Sequence, residues 1–239
     1  MKNNGRIYGV SLGPGEPELI TLKALNALNG ADIIFCPGTV GVGGQEKSRA
    51  LDVLQALPLD KTKIRVFQVP MSENREGALK AYDSVCEETM RLADQGQVVA
   101  ITAEGDACFY SSANYIYEKL RQADFPVQMI AGVPAFIAAG ASVGLHMVKQ
   151  GERMLVIPGN VSEEELLESV AAGRTLVIMK VPLGEPVLRP FIAQHPELKY
   201  HYFEQVGTSR EYYTSEPHEI LSRPFTYFSI LVVMPESEE

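Results

Sequence analysis

The stretch Ile7–Leu25 constrains the fold more than any other part of the chain. Ile7, Tyr8 and Val10 read as a first strand. Gly13-Pro14-Gly15 then breaks the pattern, because glycine tolerates positive φ and proline fixes its own. Pro17 suits a first helical turn, where its missing N–H would have no partner anyway. Leu19, Leu22, Ala24, Leu25 and Leu28 follow at helical spacing. A side-chain-poor loop therefore joins strand to helix at the C-terminal end of a strand. In open α/β sheets that is where ligands bind. Taken alone, Gly-Pro-Gly reads first as an ordinary βα turn.

Strands and helices alternate along the rest of the chain. Ile33–Cys36 is a short apolar run ended by Pro37-Gly38, and Ile64–Val69 reads as a strand that stops at Pro70. Glu76–Asp94 is a long helix with Ala78, Tyr82, Val85, Met90 and Ala93 inward. Val98–Ala103 is apolar throughout, as expected of a central parallel strand. Ser111–Gln122 reads as helix and Val127–Ile130 as strand. A break near 122–126 predicts an N-terminal α/β domain, 1–121, and a C-terminal α/β domain, 122–239. In the second, strands Met154–Ile157, Thr175–Met179, Lys199–Glu204 and Tyr227–Met234 alternate with helices Glu163–Ala171 and Pro190–His195. The long connection Gln205–Arg223 and the alternation in Tyr227–Met234 predict antiparallel pairing late in the chain. The class is α/β with parallel sheet.

Composition excludes several functions. With 46% apolar residues the chain can bury a normal core. It has no apolar run near the roughly 20 residues of a membrane helix. Met1–Arg6 lacks a signal-peptide apolar region, so no membrane association and a cytoplasmic location are expected. Cys36, Cys86 and Cys108 are odd in number and far apart, and the four histidines lack ligand spacing. No metal site is expected. A net charge of −9 argues against a nucleic-acid partner, which needs a basic face. Gly41–Ser48 looks like a phosphate loop, but Glu46 stands where that motif needs glycine, and a carboxylate there would repel phosphate.

Two further turns repeat the geometry of the first. Ala103-Glu104-Gly105-Asp106-Ala107-Cys108-Phe109-Tyr110-Ser111-Ser112 follows the apolar strand and precedes a helix. Gly105 permits close backbone approach, Asp106 can receive hydrogen bonds, and Ser111 or Ser112 can cap the next helix. Ala131-Gly132-Val133-Pro134-Ala135-Phe136-Ile137-Ala138-Ala139 ends a strand in a glycine turn and opens a helix of small residues. Two weaker segments are Leu176-Val177-Ile178-Met179-Lys180 and Tyr227-Phe228-Ser229-Ile230-Leu231-Val232-Val233.

In order and spacing these five segments resemble the tetrapyrrole methyltransferases, a family that uses S-adenosylmethionine to methylate corrin and sirohaem precursors. The first is close to the family's proline-rich loop, with Ser11-Leu12 and Glu16 as departures. The second is similar to its Gly-Asp-Pro-x-x-Tyr-Ser segment, with Ala107 in place of proline and Glu104 where a small or apolar residue is usual. In the third, Pro134 replaces a serine. The resemblance implies a two-domain class III methyltransferase fold with the cofactor in the inter-domain cleft, and a homodimer. It assigns cofactor binding to Gly13, Pro14, Gly15, Glu104, Gly105, Asp106, Phe109, Pro134, Ala135, Met179 and Ser229.

Within the family, the Tyr-Gly-Val start, the Gly38–Ser48 loop, Met179-Lys180 and the Tyr-Phe-Ser strand look most like the C20 branch. Its members methylate the C20 meso carbon of precorrin-2 or its cobalt-loaded counterpart on the way to cobalamin. Such a substrate carries many carboxylates, so Lys149, Arg153, Lys180 and Arg210 are candidate cations, and His146 a candidate face for the macrocycle. No residue is assigned as catalytic base. Glu104 and Asp106 lie near the right place, with Asp106 read as positioning the cofactor. The alternatives are another ring position, an RNA methyltransferase on the same fold, or a non-catalytic tetrapyrrole-binding module.

Overall fold

The computed structural model describes residues 5–40, 46–70 and 76–235. The phosphate-loop-like segment lies mostly outside them. The chain divides into two compact units, 1–134 and 135–239.

The first unit contains β1 (Ile7–Ser11), α1 (Leu22–Gly30), β2 (Ile33–Val40), β3 (Glu46–Lys47), α2 (Arg49–Ala56), β4 (Ile64–Pro70), α3 (Glu76–Asp94), β5 (Val99–Ala103), α4 (Asn114–Gln122) and β6 (Val127–Ile130). Its sheet has the order β3-β2-β5-β1-β6, with β4 also paired to β2. All pairings are parallel except β2 with β3. Side chains alternate between two cores, as the two-residue period of a strand requires. Ile33, Phe35, Val99 and Ile101 pack with Val85, Leu92, Ile116 and Tyr117 of α3 and α4. Ile34, Cys36 and Ala100 pack with Ala24, Leu28, Val53 and Leu54 of α1 and α2. A sheet covered on both faces by helices explains why β5 reads as an unbroken apolar run.

Three expectations are corrected here. Because β6 pairs with β1, from Ile7↔Val127 to Val10↔Ile130, the first unit runs to Pro134 and the boundary is not at 121/122. The break at 122–126 is a tight α-to-β turn, with Asp124 in the left-handed region at φ 61°. β2 does not end at Pro37-Gly38 but runs to Val40, paired with β4 throughout its second half. The Phe35 carbonyl faces β5, where it accepts the Thr102 hydroxyl at 3.0 Å. Two residues on, Pro37 turns its missing N–H to the same side, which β5 has left after Phe35. Finally, Ser111 stands before α4 rather than at its cap: its hydroxyl accepts from the Ala113 N–H, and the helix starts at Asn114.

The second unit contains α5 (Ala135–Ser142), β7 (Arg153–Ile157), α6 (Glu163–Ala171), β8 (Arg174–Met179), α7 (Glu185–Gln194), β9 (Lys199–Glu204), β10 (Tyr212–Thr214), α8 (Pro217–Ser222) and β11 (Ser229–Met234). Its sheet runs β10-β9-β11-β8-β7. Only β7 and β8 are parallel; β11 is antiparallel to both β8 and β9, as its alternation predicted. Leu176, Ile178, Tyr200, Tyr202, Leu231 and Val233 form one core with Leu188, Phe191 and Ile192 of α7 and Ile220 of α8. α7 starts five residues before the expected Pro190, with Pro186 in its first turn and Pro190 inside it. Its buried stripe of Leu188, Phe191 and Ile192 outweighs the backbone bond that Pro190 cannot donate.

Candidate functional site

In the first unit three turns meet at the C-terminal ends of β1, β5 and β6, and polar groups of the chain itself tie them together. The Gly13 N–H donates to the Gly105 carbonyl at 3.1 Å, and the Gly105 N–H donates back to the Gly13 carbonyl at 2.7 Å. This two-bond bridge is antiparallel, a reversal attached to otherwise parallel strands. Gly13 has φ 79° and Gly105 φ 65°, so both need the freedom of glycine.

Ser11 locks the third turn to the first two. It is fully buried; its hydroxyl donates to the Ile130 carbonyl at 2.7 Å and accepts from the Ala107 N–H at 2.8 Å. Asp106 does the same from the other direction. One carboxylate oxygen accepts from the Cys108 N–H at 2.8 Å, the other from the Gly132 N–H at 2.7 Å. A Cβ on Gly132 would lie 2.4 Å from the Ser11 Cβ and 2.8 Å from the Gly105 carbonyl oxygen. The turns therefore touch backbone to backbone, which only glycine at 132 allows. A Cβ on Gly105, in contrast, would meet nothing within 4 Å. That face of the knot is open backbone, suited to a ligand that must lie against the main chain.

The proline-rich turn and the Gly105 turn are also held from α2. An Arg49 guanidinium nitrogen donates to the Pro14 carbonyl at 3.1 Å. Glu104 accepts the Ala50 N–H in the first turn of α2, where the helix dipole favours a negative group. The Glu104 side chain keeps open surface, yet burial by surrounding protein pushes its carboxyl above the usual carboxylate range. Arg49 and the Ala50 N–H oppose that shift, and Asp52 adds to it. Cys36 lies nearby, and desolvation pushes its thiol up to about 11, so it is an inert core group at neutral pH.

In the second unit, Met179, Ser229 and Lys180 gather at one end of the sheet. Ile230 pairs with Met179 and Ser229 with Glu204, which aligns the end of β8, the end of β9 and the start of β11. Met179 is half-buried there. Lys180 takes a left-handed conformation, φ 54°, and its ammonium lies 6.0 Å from the Tyr227 ring centroid. Ser229 is buried, and its hydroxyl donates to the Thr226 carbonyl. The Thr226 Oγ1 is buried without a partner. Arg210 sits in the turn between β9 and β10, at this same end. Lys149 and Arg153 do not join them: Arg153 opens β7 opposite Arg174, five residues from the Met179 end, and Lys149 lies in the turn before it. His146 is exposed on the connection from α5. Pro134 and Ala135 straddle the boundary between units, and Phe109 packs edge-on against Tyr110, 4.7 Å between centroids.

Ser11 and Gly132 stand in turns that the sequence marks, Ser11 only as a departure from the family pattern, while nothing in the sequence singles out Arg49. Ser11 had a usable signal, a small polar residue closing a strand whose other buried positions are apolar or glycine. A cavity of about 350 Å³ beside Gly5, Arg6 and Val98 lies at the opposite ends of β1 and β5. It holds no carboxylate, thiol or imidazole. Among the described residues no group of three or more His, Cys, Asp or Glu side chains could hold a metal ion. No described helix is long and apolar enough to cross a membrane.

Comparison with known proteins agrees with this layout. The profile of the family Tetrapyrrole (Corrin/Porphyrin) Methylases matches residues 6–219. A precorrin-2 C(20)-methyltransferase of Sinorhizobium sp is 29% identical over 96% of this chain and 95% of its own. A cobalt-precorrin-2 C(20)-methyltransferase of Salmonella typhimurium is 26% identical over 98% of each chain. Among solved structures, a cobalt precorrin-4 methyltransferase superposes with a TM-score of 0.68 at 13% identity, over 96% of this chain and 94% of that one. A uroporphyrin-III C-methyltransferase of Thermus thermophilus, complexed with S-adenosylhomocysteine, gives 0.64 at 20% identity, over 97% and 98%. At these identities the structures speak for the fold.

Proposed function

Because the chain belongs to the tetrapyrrole (corrin/porphyrin) methylase family, we propose that it methylates C20 of precorrin-2 or its cobalt-loaded counterpart, using S-adenosylmethionine. The observation that carries this reading is full-length likeness to C20-methyltransferases from two organisms. The knot of Gly13, Gly105 and Gly132 supports the cofactor: it offers open, side-chain-free backbone at Gly105 and a rigid frame around it. In the second unit the unpartnered Thr226 hydroxyl and the half-buried Met179 thioether are groups that fit an adenosine.

When bound, the sulfonium cofactor supplies an electrophilic methyl group. What the protein adds is chiefly alignment, which can account for about 7–11 kcal/mol of barrier lowering. The cofactor role is assigned to Gly13, Pro14, Gly15, Glu104, Gly105, Asp106 and Phe109 on their place at the turns of the first unit, and to Pro134, Ala135, Met179 and Ser229 on the family likeness. Asp106 acts through the loops, since both its oxygens accept backbone N–H groups. Ser229 acts through its backbone, since its hydroxyl is already used. Lys180 and Arg210 share an end of the second sheet and are the cations proposed to meet substrate carboxylates. Lys149, Arg153 and His146 are not given that role. The same family likeness underlies the reading of the enzyme as a homodimer, and the apolar pattern of the sequence the reading of it as cytoplasmic.

Incubation with S-adenosylmethionine and either precorrin-2 or cobalt-factor II tests this, with NMR location of the new methyl group. A methyl at C20 is expected; one at another carbon, or none, overturns the assignment. Light scattering at micromolar concentration should give twice the 26.2 kDa chain mass, and a monomer would refute the dimer.

A further inference from the structure

Methylation at C20 leaves a proton to be removed, and two carboxylates stand at the Gly105 turn. We propose that Glu104 is the group that accepts the C20 proton. The inference rests on the C20 reading above. Asp106 is excluded by its geometry. Its two oxygens are already committed to the Cys108 and Gly132 N–H groups at 2.8 and 2.7 Å, as charge-assisted bonds. Protonating it would also release the turn that frames the cofactor site.

Glu104 differs in each respect. It immediately precedes Gly105, whose Cα faces open space. Its side chain keeps surface accessible to a ligand. Its bond to the Ala50 N–H orients the carboxyl while an oxygen lone pair stays available. The groups facing it are Arg49, the Ala50 N–H and Asp52 from α2, and the Cys36 thiol from β2. Burial outweighs the Arg49 charge and raises its affinity for a proton. A carboxylate held above its ordinary range is a better base at neutral pH than one within it.

The balance closes without another reagent. C20 gives an electron pair to the methyl carbon, and the carbon–sulfur pair leaves with the neutral thioether. The C20–H bond then breaks, its electrons return to the ring, and the proton goes to the Glu104 carboxylate. Solvent takes the proton before the next turnover.

The test is Glu104→Gln, which keeps an acceptor for the Ala50 N–H and loses the basicity. Calorimetry should find S-adenosylmethionine and S-adenosylhomocysteine affinities changed by the same factor, since Glu104 also stands in the assigned cofactor site. Turnover should fall at least tenfold. Wild-type kcat should rise with pH along a limb set by Glu104, and that limb should vanish in Glu104→Gln. In the wild-type complex with S-adenosylhomocysteine, ¹³C NMR of labelled glutamate should show one carboxyl titrating above the usual range, absent from the variant. Should Glu104→Gln fold poorly, Glu104→Asp decides, retaining part of the turnover and a displaced limb. Wild-type turnover with an unchanged pH profile would overturn the proposal. So would a selective loss of affinity for the cationic cofactor with its thioether product unaffected, because Glu104 would then be a counter-charge. Failure of the C20 reading itself shows separately, as wild-type enzyme that places no methyl at C20.

Discussion

Glycine does two opposite jobs within a few ångströms of this site. At Gly132 the absent side chain lets backbones touch; at Gly105 it leaves space open. The two should respond differently to substitution. Gly132→Ala forces a Cβ to 2.4 Å from Ser11 and 2.8 Å from a backbone oxygen. Overpacking of that kind costs about 1–3 kcal/mol, or roughly 2–12 °C in a chain of this length. Gly105→Asn is the cleaner probe of binding, since asparagine tolerates the left-handed φ of 65° that valine does not. Its melting temperature should stay within a few degrees of wild type, while calorimetry finds S-adenosylhomocysteine binding lost. Unchanged affinity in Gly105→Asn would remove this turn from the cofactor site. For Asp106→Ala, two backbone donors lose a charged acceptor, each such bond worth about 1.5–3 kcal/mol. Asp106→Asn keeps one acceptor and should fall between it and wild type in denaturant midpoint.

Elements, rather than residues, decide which cations can act together. Lys180 follows β8 and Arg210 follows β9, strands whose ends β11 brings into line. Arg153 opens β7 at the far end of the same sheet. Lys180 also sits at φ 54°, a conformation that costs a side-chain-bearing residue about 1–2 kcal/mol. Lys180→Gly relieves that strain and deletes the charge. It should leave or raise the melting temperature, keep cofactor affinity, and raise KM for the tetrapyrrole; an unchanged KM would free Lys180 of any substrate role. The sequence shows which residues end strands, and thus found the Gly13, Gly105 and Lys180 turns. It does not show strand order, so it could not separate Arg153 from Lys180. Nor could it place Val127–Ile130, because parallel pairing with β1 joins residues 120 apart. The tie from Asp106 to Gly132 was hidden for the same reason, although each turn was legible alone.

At the scale of the whole molecule, charge sets a problem that the local site must solve. The chain carries −9 at neutral pH, and the proposed substrate is a polyanion. Long-range fields act on the encounter more than on the final contact. Repulsion between the two should therefore slow association at low salt. At an ionic strength near 0.15 M the Debye length falls to about 8 Å. The general field is then screened, while close contacts to Lys180 and Arg210 persist. Stopped-flow absorbance should find the association rate constant rising as salt is increased from about 0.01 M to about 0.15 M. Lys180→Gly should raise the dissociation rate and preserve that slope. An association rate that falls with salt would mean that a local basic field, and not the net charge, steers the substrate. The acidic balance of the sequence would then say nothing about its capture.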